Sequence, residues 1–155
     1  MKRYILDTNI VSDLQTDTTI GLKILEKLKS LDADDEVSVS IIVLYELVYG
    51  LHNISDNKQK KAVEQGIDFI KEYLSIIPLD MKEVDIFANL KTKYKQATGI
   101  NKNAIKRHNL DLLIASTAIA MDATIAMDAT IVSADAIFEK LTEIEPLLNH
   151  ENWLR

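Results

Sequence analysis

Short apolar runs alternate with longer segments of helical period along almost the whole chain, and few folds accept that order. Tyr4-Ile5-Leu6 is a short strand ended by Asp7-Thr8-Asn9, and residues 20–31 place apolar side chains at 20, 24, 25, 28 and 31, the spacing of one helix face. Val37 to Ser40 alternates like a strand, and the apolar run 41–51 follows as a helix. Residues 58–74 and 81–98 read as helices separated by Ile76-Ile77-Pro78-Leu79, a short strand that proline places near a strand end. A buried helix from about Leu110, a strand at Thr130 to Ser133, a helix near 135–142 and an extended piece before Trp153 complete the series. Strands alternating with helices predict a three-layer α/β domain, a parallel sheet of four to five strands flanked by helices.

A chain of 155 residues, 47% of them hydrophobic, is long enough for one core and short for two, so residues 1–155 are expected to form a single domain. Four Gly and two Pro leave little room for linkers. No apolar run reaches the roughly 20 residues of a membrane span, because Glu46 interrupts one and Asp122 ends the other. The opening MKRYILDTN meets Asp7 after three apolar residues and lacks the core of a secretory signal. The expectation is a soluble, unexported, cytoplasmic protein, with which the absence of Cys agrees. Eighteen basic residues against 24 acidic, a net charge of −6, argue against holding nucleic acid by bulk electrostatics, though not against touching it locally.

Most of those acidic residues solvate the surface, and four stand out because their neighbours are not solvent-facing. Asp7 follows a strand directly, where open α/β sheets bind ligands; a helix-capping role for Asp7 or Asn9 explains the position equally well. Glu46 has Ile42, Val43, Tyr49 and Gly50 at helical spacing and no polar stripe to sit on, unless that face is simply exposed. Asp111 opens DLLIASTAIAM, whose next ten residues carry no charge; helix-end stabilisation accounts for it too, and Asn109 is as good a cap. Asp135 sits where a strand feeds a helix and reads alone as an N-cap.

Together, three carboxylates at strand ends or helix starts and one on an apolar helix face would converge on one edge of the sheet. Four like charges so close raise one another's pKa unless a cation is present. All-oxygen ligation without Cys suits Mg²⁺ or Mn²⁺ better than zinc. Metal-assisted phosphodiester hydrolysis is the chemistry such a cluster serves.

In order and spacing, YILDTN, SIIVLYELVYGL, NLDLLIASTAIA, ATIVSADAIF and ENW resemble a PIN domain, and specifically a toxin of the VapC type, over nearly the whole chain. The resemblance implies a parallel sheet flanked by helices and a Mg²⁺- or Mn²⁺-dependent endoribonuclease acting on RNA. It places the family's acidic residues on Asp7, Glu46, Asp111 and Asp135, with Asp7, Asp111 and Asp135 holding one or two metal ions and Glu46 completing the shell. It implies in-line attack of water on phosphorus, leaving a 5′-phosphate and a 3′-hydroxyl. Thr8, Asn9 and Ser133 match its supporting polar positions, although a turn-forming role also explains Asn9. It further implies a VapB-type antitoxin partner and a toxin homodimer. A non-catalytic PIN module that binds RNA or protein is the alternative, against which all four acidic positions are filled. A phosphoacceptor receiver domain fits less well, because no Lys follows the last strand.

Two stretches stand apart. GINKNAIKRHNLD, residues 99–111, is longer than the usual family connection; Lys102, Lys106 and Arg107 would lie beside the site as phosphate contacts, or on an ordinary solvated segment. His108 is left without a role, and His52 and His150 have no constellation. AMDATIAMDATIV, residues 120–132, says six residues twice. The second copy must supply the strand, because Val132, Ser133 and Asp135 follow it directly; roughly four surplus residues in the helix at about 1.5 Å each nearly cancel two in the strand at about 3.3 Å each. The hairpin would protrude at the amino ends of the strands, with Asp122 and Asp128 as turn or surface residues.

Overall fold

The structure, a computed structural model, describes residues 1–14, 18–125 and 128–155, and of 122–125 and 128 the backbone only. The chain opens with β1 (Lys2–Leu6), whose Tyr4, Ile5 and Leu6 are buried, and turns at once into α1 (Thr8–Leu14) and α2 (Thr19–Lys29). β2 (Glu36–Ser40) leads into α3 (Ile41–His52) and α4 (Asn57–Tyr73), β3 (Ser75–Ile77) into α5 (Lys82–Thr98). A 3-10 helix, Ala104–His108, runs directly into α6 (Asn109–Ile125), followed by β4 (Asp128–Val132), α7 (Ala136–Ile144) and β5 (Asn149–Glu151). No described helix is long and apolar enough to cross a membrane.

Most elements lie where periodicity predicts, and the differences have physical causes. α1, foreseen only as a helix that Asp7 or Asn9 would cap, has seven residues, too few to display a period, although Ile10 and Val11 lock it to the core. β3 occupies 75–77 rather than 76–79, ending before Pro78, which has no N–H to give to a ladder. Four helix starts are capped by short polar side chains, Thr18, Ser40, Asp56 and Asp135 each accepting from a backbone amide of the first turn, whereas α5 begins after Met81 with no such cap.

The five strands pair in parallel in the order β3-β2-β1-β4-β5. From β1 the chain steps outward to β2 and β3, then returns across β1 to β4 and β5. Right-handed crossovers therefore put α1–α4 on one face and α5–α7 on the other, and packing follows that division, α3 against α4 and α5 against α6 and α7. Leu6 pairs with Val39 on one side and Val132 on the other, so β1 and β4 end side by side at the point where strand order reverses. In open α/β sheets that crevice is where ligands bind.

α6 runs through the first AMDATI copy to Ile125 and β4 begins at Asp128 in the second, so the second copy does supply the strand. Residues 126–127 and the side chains of Asp122 and Asp128, on which the expected hairpin turn falls, lie outside the described residues. The register Tyr4↔Thr130, Ile5↔Ile131, Leu6↔Val132 delivers Ser133 and Asp135 to the carboxyl edge, across the domain from the repeat.

Candidate active site

Asp7 leaves β1 at the crevice and is 5% exposed. Its Oδ1 accepts the Thr8 amide at 2.8 Å and its Oδ2 accepts the Ser133 hydroxyl at 2.7 Å. The backbone adds to the fixation: the Asp7 amide donates to the Val132 carbonyl, and its own carbonyl accepts Val11 at the start of α1. Asp7 thus stands at a helix cap and faces the crevice as well.

The Ser133 hydroxyl, fully buried, spends its one proton on Asp7 and accepts the Asp135 amide at 3.0 Å and Asn9 Nδ2 at 3.3 Å. Asp135 caps α7, accepting the Ile137 amide at 3.4 Å. His150 Nε2 lies 2.9 Å from the Ser133 carbonyl, so that nitrogen carries a proton and donates it, while the ring stacks on Phe138. His150 is a part of the site that the sequence left out; only the pairing of β5 with β4 brings it there.

Glu46 reaches the site from α3, half-buried. The Thr8 hydroxyl lies near enough to favour the charged form of Glu46, yet it is buried without a full hydrogen-bond partner among the described residues. Asp111 sits in the first turn of α6, and His108 Nδ1 stands 3.6 Å from its Oδ2. Arg107 Nε donates to His108 Nε2 at 3.1 Å, which leaves the imidazole proton on Nδ1, facing Asp111. A His three residues before an Asp at a helix start was a legible signal.

Asp7, Glu46 and Asp111 are shifted by burial and by the charge of their neighbours. Burial pushes the Asp7 carboxyl above the ordinary carboxylate range and the charge on Asp135 adds to this, against the pull of the Ser133 and Thr8 hydrogen bonds and of His150. Burial and then the Asp7 charge raise Glu46. Asp111 is raised to about 7, by burial first and then by Asp7, Asp135 and Glu46. Its helix N-terminus favours the anion, usually by under about 1 kcal/mol; burial and three like charges win. Burial and Arg107 hold His108 below the usual imidazole value, so it stays neutral and brings little compensating charge.

Among the described residues no three Asp, Glu or His side chains are gathered into a cage that would hold a metal ion as they stand. The donor chemistry nonetheless fits a hard divalent cation: all-oxygen ligands, an unsatisfied buried hydroxyl at Thr8, and an Asp111 carboxyl raised by burial and by neighbouring charges that a cation would offset.

Of the sequence-predicted residues, the structure brings Asp7, Glu46, Asp111 and Asp135 together with Thr8, Asn9 and Ser133 around them. Lys102, Lys106 and Arg107 are exposed on or before the 3-10 helix, and Arg107 adjoins the cluster through His108. Lys91, whose Nζ binds Asn109 Oδ1 at 2.7 Å, is a neighbour the sequence did not single out.

Acidic residues at the switch point of a sheet ordered β3-β2-β1-β4-β5 define a class, and residues 4–144 match the PIN domain. The chain belongs to the PIN-domain family. It is similar to Ribonuclease VapC2 of Rickettsia felis, 33% identical over 126 residues that cover 79% of this chain and 83% of that protein. The crystal structure of VapBC2 from Rickettsia felis, bound to a DNA fragment from their promoter, superposes with a TM-score of 0.74 at 29% identity, covering 97% of this chain and 98% of that one. VapBC-1 from nontypeable Haemophilus influenzae shares the fold, with a TM-score of 0.71 at 21% identity and 99% of both chains covered.

Proposed function

We propose that this chain is a divalent-metal-dependent endoribonuclease, the toxin of a toxin–antitoxin pair working in the cytoplasm. The observation that carries the reading is the approach of Asp7, Glu46 and Asp135, from three separate segments, to Asp111 on a fourth, near enough that all three charges raise its carboxyl. A structural cluster would pair such groups with Lys or Arg, and none of the four has an ion pair with either among the described residues. The similarity to a ribonuclease supports RNA as the substrate.

Asp7, Asp111 and Asp135 would hold Mg²⁺ or Mn²⁺, with Glu46 completing the shell directly or through water. When bound, the cation neutralises phosphoryl charge and activates water for in-line hydrolysis. The residues of the chain do the positioning. Ser133 and the Thr8 amide fix both oxygens of Asp7, so its carboxylate cannot rotate away. The Asp135 amide, tied to the same hydroxyl, sets the distance between the ends of β1 and β4. His108 presents an N–H edge to Asp111 and Thr8 a hydroxyl to Glu46.

Complexes of the VapBC kind among the similar structures support an antitoxin partner. An apolar groove between α1, α2 and α4, lined by Val11, Leu14, Leu28 and Ile70 with Leu25 and Phe69 exposed at its rim, is the surface we assign to it. The exposed stripe Tyr45, Val48, Tyr49 on α3 is assigned to a second toxin copy. Growth on induction tests the reading: wild type should arrest growth, Asp111→Asn should not, and co-expressed antitoxin should relieve the arrest. Equal arrest by both forms, or none from soluble wild type, would overturn it.

A further inference from the structure

α5 and the 3-10 helix enclose a groove that carries the opposite charge to the rest of the chain. Lys91 and Lys95, one helical turn apart on α5, face Lys102 and Lys106 across it, with Phe87 and Thr92 between. No carboxylate lines it. Buried Ile105 anchors the segment that bears Lys106, so the positive wall is held in place. In a chain of net charge −6 with 24 acidic residues, four neighbouring lysines have no ion pair among the described residues. Acidic side chains to neutralise them are abundant in the sequence and do not occur here.

One end of the groove adjoins the start of α6, the helix that carries Asp111. Lys91 Nζ binds Asn109, the first residue of α6, two positions before Asp111, and its ammonium lies 5.3 Å from the centre of the Phe87 ring. At the other wall Lys106 is followed by Arg107, which holds His108, and His108 stands beside Asp111. A chain of phosphates lying along the lysines would therefore be led toward the start of α6 and Asp111.

We infer that this groove carries the phosphate backbone of single-stranded RNA into the cluster, with Lys91, Lys95, Lys102 and Lys106 as sequence-independent contacts. The inference rests on the endoribonuclease reading for its substrate. Four lysines along one groove with no carboxylate among them fit a backbone track that fixes register and leaves the choice of site elsewhere. A groove lined by lysines and no carboxylate gives an acidic protein a local place where a phosphate chain is attracted.

The test uses the full chain with Asp7→Asn, which binds without cutting, and a fluorescein-labelled oligouridylate of about 12 nucleotides, within the span of single-strand binding grooves. Adding Lys95→Ala and Lys102→Ala should lower the slope of log Kd against log salt by about 1.4, roughly 0.7 for each lost single-strand contact. With Asp7 restored, the same pair should raise KM and leave kcat unchanged. Lys58→Ala with Lys61→Ala, on the opposite face of the sheet, should change neither. An unchanged slope, or an equal fall in that control pair, overturns the track. Slopes that behave as expected in a chain whose wild type cuts no RNA would sustain the track and overturn the endoribonuclease reading instead; cleavage with an unaltered slope overturns the track alone.

Discussion

The hydroxyl of Ser133 donates to Asp7 Oδ2 at 2.7 Å across 126 residues of chain, and that bond pins the end of β4 to the end of β1. Because the same oxygen accepts the Asp135 amide and Asn9, one small side chain sets the positions of two of the four carboxylates. The active crevice is therefore a product of sheet order, with a single buried serine at its centre.

Replacing Ser133 with Ala should cost stability and activity together. The variant leaves Asp7 Oδ2 and the Asp135 amide without their partner, a loss of about 1–3 kcal/mol measurable by urea unfolding. The hydroxyl bond lowers the Asp7 pKa, so its removal pushes that carboxyl further up and should move the acidic limb of the pH–rate profile to higher pH. An unshifted limb would show that Asp7 ionisation does not govern the rate.

Stability should fall as pH rises through the range in which the cluster ionises. Asp111 is raised to about 7 from an ordinary value of 3.8, so between those values the folded chain binds a proton that the unfolded chain has lost. Folding is then favoured at low pH and that contribution disappears toward pH 7, the reverse of a salt-bridged carboxylate. Asp111→Asn should melt above wild type at pH 8 and close to it at pH 4. Mg²⁺ should raise the wild-type melting temperature at pH 8 far more than that of Asp111→Asn; equal responses would remove Asp111 from the cation site.

Deleting residues 120–125 should leave cleavage intact. The second copy already forms β4, and the pairs Tyr4↔Thr130, Ile5↔Ile131 and Leu6↔Val132 that place Ser133 lie beyond the affected end. The shorter α6 should draw the first residues of β4 into the turn, at the expense of Lys2↔Asp128 and Arg3↔Ala129, so a lower melting temperature is expected. A folded deletion variant without activity would mean that the register had slipped.

Phe69→Lys should prevent the antitoxin from co-purifying while leaving RNA cleavage unchanged, because Phe69 lines the apolar groove on α4 and not the carboxylate crevice. A variant that still captures the antitoxin would move the interface elsewhere.

Much of this could be read from the sequence because burial leaves a periodic trace. Tyr4-Ile5-Leu6 before Asp7, and the uncharged run after Asp111, announce a strand end and a helix start whose carboxylates are out of place on a surface. The helical setting of Glu46 among apolar neighbours was visible in the same way. Other features arise only in three dimensions. His150 joins the site because β5 pairs with β4, and Lys91 because α5 packs on α6, neither of which local spacing encodes. Asp135 was readable as a cap and as a site residue; it does cap α7, and that cap places it just past Ser133 at the carboxyl edge of the sheet, so the two readings are compatible.

The most direct test is cleavage of a labelled RNA by the purified chain in Mg²⁺ or Mn²⁺, with Asp7→Asn compared at matched circular dichroism. Wild type should cut and leave 5′-phosphate ends, stop on chelation with EDTA and recover when the metal is restored, and Asp7→Asn should be inactive under every condition. Cleavage that survives EDTA, or persists undiminished in a folded Asp7→Asn, would contradict a metal-dependent carboxylate site.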